Sequence, residues 1–164
     1  MRALGLLGTI VAVAAGATGV SACGGASDDH RAAIVDALRA YASADAAGDG
    51  VRVCAVLSDA AAGNVGSRTT AGKPREGSCV DRYEAQVADV RRDPAVEGPL
   101  QDFAVKVRDA ARKDDALDVR VDGDAATVDV SRLRAFNANH FRFTLRREGG
   151  AWLVDRVPET ATLR

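Results

Sequence analysis

Leu117-Asp118-Val119-Arg120-Val121-Asp122-Gly123-Asp124-Ala125-Ala126-Thr127-Val128 is the stretch that decides the fold, because apolar Leu117, Val119 and Val121 alternate with charged Asp118, Arg120 and Asp122 before reaching Asp-Gly. Alternation with period two places one set of side chains on one face of a strand, and Asp-Gly between two such runs signals a two-residue hairpin turn. With Asp122-Gly123 as the turn, Val119 lies opposite Ala126 and Leu117 opposite Val128, so both strands bury the same face. Further along, Phe141, Phe143 and Leu145 alternate up to Glu148-Gly149-Gly150, and Trp152 and Val154 alternate beyond it. Taking Glu148-Gly149 as the turn pairs Leu145 with Trp152 and Phe143 with Val154, whereas Gly149-Gly150 sets Arg147 against Trp152. The first register keeps the apolar face continuous and is the one expected. Two successive hairpins give a four-stranded antiparallel meander with one face to bury.

The chain ahead of the meander reads as helical. Asp28 or Asp29 caps a helix in which Ile34, Leu38, Tyr41 and Ala42 recur at helical spacing, and Gly48-Asp49-Gly50 stops it. A second helix is expected from Val51 to Ala62 with Val53, Cys54 and Leu57 inward, and a third after Ser78 with Cys79, Tyr83, Val87 and Val90 on one stripe. Pro99 is placed to begin a fourth, with Leu100, Phe103, Ala104 and Val107 on its apolar side. Residues 63–78 and 91–98 read as loops. The expected fold class is therefore α+β, with N-terminal helices packed on a curved four-stranded antiparallel sheet in one domain over residues 30–164.

The N-terminus carries an address. Met1-Arg2 precedes an uncharged run rich in Ala, Gly, Val and Leu from Ala3 to Val20, the layout of a secretory signal peptide over residues 1–22. Val20-Ser21-Ala22-Cys23 resembles the bacterial lipobox, which implies that Cys23 is diacylated, becomes the new N-terminus and anchors the protein at the outer face of the cytoplasmic membrane. Residues 23–29 would then be a lipidated tether, of which Gly24 to Asp29 spans at most about 20 Å. Cleavage by an ordinary signal peptidase, giving a secreted protein, and retention of the apolar run as a span are the competing readings. Of three cysteines, lipid on Cys23 leaves Cys54 and Cys79 as an even pair for a disulfide in an oxidising compartment, the alternative being two buried thiols.

The first helix with its Asp49 turn, Val53-Cys54-Ala55-Val56-Leu57, Ser78-Cys79, the Val121–Val128 hairpin and Gly149-Gly150-Ala151-Trp152-Leu153-Val154 together resemble lipoproteins of high-GC Gram-positive bacteria with a nuclear transport factor two-like fold. The resemblance spans nearly the whole mature chain, with a helix over 99–112 as an addition to the simplest pattern. It implies a cone, the sheet wrapping a helix around an apolar pocket. It does not choose a function, because the superfamily holds enzymes, ligand binders and protein adaptors.

Chemistry-bearing patterns are sparse. The net charge of -1, with acids and arginines interspersed, excludes a basic face for nucleic acid. Gly66 to Gly72 followed by Lys73 fails as a phosphate loop, since the spacer is one residue too long and Pro74 stands where Ser or Thr is required. The histidines, His30 and His140, have no second ligand nearby in sequence, so neither a metal nor a cofactor is expected. Tyr41 and Asp45, one helical turn apart, are the nearest approach to an acid–base pair, with Tyr83, Asp102, His140 and Trp152 as further inward residues. These residues are better read as core aromatics and helix-end polar groups than as catalysts, so no catalytic residue is assigned. The function expected first is a non-catalytic interaction or regulatory module that docks an envelope protein, with a homodimer through a free sheet face unsurprising. The alternative is a binder of a small apolar or amphipathic ligand in a pocket of Tyr41, Asp45, Tyr83, Phe103, His140, Phe143 and Trp152. An isomerase- or dehydratase-like enzyme comes third. A filled cone with an exposed apolar groove favours the first reading, and an open apolar cavity of several hundred Å³ the second.

Overall fold

Asp28 and Asp29 do not belong to a tether: they form the acidic first turn of α1 (Asp28–Ala47), where carboxylates favour the positive end of the helix dipole. The computed structural model describes residues 28–68, 72–113, 117–130, 133 and 142–158. Residues 1–27, Cys23 among them, lie outside them, as do His140 and Phe141. α1 buries Ile34, Val35, Leu38, Tyr41, Ala42 and Ala44 and ends in a Schellman motif: Gly48 at φ +66° lets its N–H reach the Asp45 carbonyl while the Asp49 N–H reaches that of Ala44, both at 3.0 Å. Asp49 then caps α2 (Gly50–Ala55) by accepting from the Arg52 N–H.

The expected helix from Val51 to Ala62 is broken in two. α2 stops at Ala55, and α3 (Asp59–Asn64) starts afresh with Ser58 as its N-cap, its hydroxyl accepting from the Ala61 N–H at 3.1 Å. Between them Val56, Leu57 and Ser58 run alongside the last strand. Val154 donates to the Val56 carbonyl and Ser58 donates to the Val154 carbonyl, each at 2.9 Å, while Leu57 bridges Val154 in parallel. The segment thus pairs part of an edge strand that would otherwise show unpaired backbone groups.

α4 (Cys79–Val90) carries a full capping box, in which the Ser78 hydroxyl accepts from the Asp81 N–H and the Asp81 carboxylate accepts from the Ser78 N–H. The Ser78 hydroxyl also donates to the Asp81 carboxylate at 2.7 Å, and that bond, then the one from the Ser78 N–H, holds the Asp81 carboxyl below its ordinary value. A disulfide joins Cys54 and Cys79, stapling α2 to the first residue of α4. α5 (Pro94–Ala110) begins five residues before the expected start at Pro99, because Asp93 caps it and Pro94 occupies the first turn, where a missing N–H costs nothing. Pro99 lies inside the helix. Arg39 of α1 closes the far end of α5, donating Nε and Nη2 to the Ala111 carbonyl at 3.1 and 2.5 Å.

The four strands, β1 (Asp118–Asp122), β2 (Ala125–Asp129), β3 (Arg142–Glu148) and β4 (Ala151–Arg156), form one antiparallel sheet in the order β1-β2-β3-β4. The buried face is the one the alternation marked, with Ala126, Val128, Phe143, Leu145, Trp152 and Val154 all inside. The partners differ from those expected. Val119 pairs with Val128 and Val121 with Ala126, while Leu145 pairs with Val154 and Arg147 with Trp152. The loops are therefore Gly123-Asp124 and Gly149-Gly150, with Gly123 at φ +58° and Gly149 at φ +58° in the first central position. Tight hairpin turns that match strand twist need positive φ at that position, which glycine adopts more readily than Asp122 and far more readily than Glu148. In each hairpin the shift moves the partner by two residues, so the faces survive although the pairs change.

Inside, α1 lies along β4 and α5, and α2 lies against α4. His30 in the first turns of α1 meets the Trp152 ring edge-on at 6.0 Å, and three helical turns later Tyr41 meets Phe143 at 5.9 Å. Among the described residues, no helix is long and apolar enough to cross a membrane.

Candidate functional site

A cavity of about 940 Å³ opens between the C-terminal half of α1, α3, α4, α5 and the end of the sheet where β4 leaves. Its cause is legible in side-chain size. Ala42 and Ala46 of α1, Ala60 and Ala61 of α3 and Ala104 of α5 face it, and none is long enough to bridge the gap between elements. Larger groups complete the wall: Tyr41, Tyr83, Leu100, Phe103, Val107 and Phe143. Phe103 lies nearly parallel to Phe143, the ring centroids 6.4 Å apart, so α5 and β3 share one aromatic stack.

Polar groups stand at defined places on this surface. Asp45 reaches it from α1 and Tyr83 from α4, and the Tyr83 hydroxyl donates to Asp45 Oδ1 at 2.8 Å. The partner of Asp45 is thus Tyr83 across the helix pair, not Tyr41 one turn back on the same helix. Burial raises the Asp45 carboxyl above its ordinary value, and the bond from Tyr83 offsets part of that rise. Burial also drives the Tyr41 and Tyr83 phenols well above theirs, with the neighbouring Asp45 charge adding to both. Both tyrosines are therefore neutral donors across the physiological range.

Asp155 marks a second polar point. The β3–β4 register shifts between Thr144 and Leu145, so Asp155 has no paired residue in the ladder; the fully buried Ser58 hydroxyl donates to its Oδ1 at 2.7 Å, and Arg146 Nε lies 3.9 Å from the same oxygen. Arg91, Arg156, Glu97, Gln86, Gln101 and Asn64 complete the polar part of the lining.

Of the residues singled out in the sequence, Tyr41, Asp45, Tyr83, Phe103 and Phe143 come together at this cavity. Trp152 does not: it is buried at the opposite end of α1 against His30, because the register that pairs it with Arg147 carries it away from Phe143. Asp102 lies on the exposed side of α5 in an ion pair with Lys106 at 2.6 Å, and His140 lies outside the described residues. The sequence reading missed Leu57, Val65, Gln86 and Asp155. The runs of alanine on α1 and α3 were the available signal, since small residues on facing helices predict space. Among the described residues, no three His, Cys, Asp or Glu side chains gather to hold a metal ion. No family model, curated protein or solved structure matches the chain.

Proposed function

We propose that the chain is a non-catalytic extracytoplasmic binding protein, anchored to the outer face of the cytoplasmic membrane through lipid on Cys23, whose cavity takes a small amphipathic ligand. The observation that carries this reading is the cavity of about 940 Å³, walled by aromatic and aliphatic side chains with a few fixed polar groups. That combination of size and lining is what small-molecule sites share. The described surface offers little for a protein partner by comparison: Val51, 65% exposed, is its exposed large hydrophobic side chain. The outward sheet face is equally unpromising for a dimer, since it presents Arg120, Asp122, Arg142 and Arg146 to solvent.

The order of helices followed by a four-stranded antiparallel sheet, with a pocket between them, supports reading the fold as a nuclear transport factor two-like cone. Val20-Ser21-Ala22-Cys23 supports the anchor, and the Cys54–Cys79 disulfide suits an oxidising compartment. The absence of a role in catalysis is supported by Asp45 and the two tyrosines, which offer one carboxyl and two phenols held neutral rather than an acid and a base of matched pKa.

A thermal-shift screen of short amphiphiles tests the proposal, because a ligand that binds the native state alone raises its Tm. Leu100→Trp, at a half-buried position on the wall, places an indole in the cavity. Compounds that stabilise the wild type and lose that effect in Leu100→Trp support the reading. A screen with no stabilising compound, or one in which the variant responds equally, overturns it.

A further inference from the structure

The Asp45 carboxyl reaches the cavity with much of its hydrogen-bonding capacity unused. Its Oδ1 accepts the Tyr83 hydroxyl, and among the described residues its side chain meets no cation and takes no other hydrogen bond. It is half-buried, deep enough to lose water and open enough to be reached from the cavity. The other acids on the wall are engaged, Asp155 with the Ser58 hydroxyl and Glu97 with the Gln101 amide at 3.2 Å. The cations on the wall, Arg91 and Arg156, are exposed to water. Arg91 is near enough to Tyr83 for its charge to favour the phenolate, and neither arginine hydrogen-bonds Asp45. The Tyr83 hydroxyl meets the carboxyl, Tyr41 lies one turn back on the same helix, and both line the same cavity as Phe103 and Phe143. A carboxylate withdrawn from water is ordinarily matched by a positive charge, and aromatic faces attract the same kind of group.

We infer that the ligand is an amphipathic amine, its alkyl or ring body in the apolar cavity and its ammonium group paired with Asp45. This rests on the ligand-binding reading above and specifies the ligand's charge. A primary ammonium supplies three donors and the counter-charge the fold omits, and it stays protonated past neutral pH as a lysine does. The Tyr83 hydroxyl fixes the carboxylate from the α4 side, leaving its free oxygen for the ligand. An anionic amphiphile of the same shape would bring its charge against Asp45, and an alcohol would leave the carboxylate unmatched.

The test is isothermal titration of the full chain in lipid nanodiscs with hexylammonium, hexanol and hexanoate, the signal of empty nanodiscs being subtracted. Hexylammonium should bind more than about tenfold tighter than hexanol, the scale of a desolvated charge pair, with hexanoate weakest. Asp45→Asn, which keeps the acceptor for Tyr83, should bring the amine down to the level of the alcohol. Equal binding of amine and alcohol by the wild type, which needs no variant to observe, would overturn the inference, as would an amine preference that survives Asp45→Asn. Either result leaves the cavity as an apolar site, whereas failure of all three compounds to bind would overturn the ligand-binding reading with it.

Discussion

Burial lifts the Asp45 carboxyl above its solution value of 3.8, and the Tyr83 bond recovers part of the loss. A folded-state pKa above the unfolded one means that the native state holds the proton more tightly. The contribution to stability is therefore fully present below the solution value and is lost as pH rises through the folded value. Asp45→Asn removes the charge and keeps the shape, so it should raise the Tm at pH 7 and leave it nearly unchanged at pH 3. Melting curves of both proteins across that range check the sign, and an Asn variant less stable at pH 7 would mean that the carboxylate has a counter-charge within the protein. A residue that lowers stability where it faces a cavity is the pattern expected of a binding group. Two glycines give a sharper contrast. Gly66 sits at φ +57°, and a Cβ there would come within 2.3 Å of the Arg82 carbonyl oxygen, so Gly66→Ala should cost about 2 kcal/mol or more. Gly63, inside α3 with open space around it, should gain roughly 0.5 kcal/mol on the same change. Urea titrations of the pair separate backbone strain from helix propensity.

At the scale of elements, α2 is six residues long and has no independent stability. The Cys54–Cys79 bridge, closing a separation of 25 residues, is expected to contribute about 3 kcal/mol, which comparison of oxidised and reduced protein in denaturant would measure. Ser58→Ala removes both the α3 cap and the donor to Asp155, with an expected loss of about 1 to 2 kcal/mol in the same experiment. What the sequence made legible at this scale depended on whether the signal was local. The period of two in Leu117–Val121 and Phe143–Leu145 marked the buried face of the sheet, and Ser78 marked the start of α4. Hairpin partners were not legible from alternation alone, because a shift of two residues preserves every face, and they turned on which position the glycine takes. Asp93-Pro94 was a stronger helix start than Pro99, since it joins a cap to a first-turn proline. The break between α2 and α3 had one local signal, Ser58 as a cap, while its cause is distant: Leu57 and Ser58 leave the helix to pair with Val154, a strand nearly a hundred residues away.

At the scale of the whole molecule, the aromatic residues of the site were legible and the space between them was not. Tyr41, Tyr83, Phe103 and Phe143 declared themselves by helical spacing and strand alternation. Trp152 obeyed the same alternation yet falls at the other end of α1, because membership of a core does not say which end of it a residue occupies. The cavity arises from alanines on three helices that only the assembled fold brings face to face. The proposed function joins the polar outward sheet face, the walled cavity and the lipid proposed on Cys23 into one account, in which the fold holds an amphipathic molecule close to the membrane. Native mass spectrometry of protein extracted gently from its own membrane, repeated after reduction and after denaturation, tests that account most directly. It predicts a chain beginning at Cys23 with acyl mass, a gain of two hydrogens when the Cys54–Cys79 bridge is reduced, and a basic small molecule that departs on denaturation. A mature chain without acyl groups and with an empty cavity would contradict it.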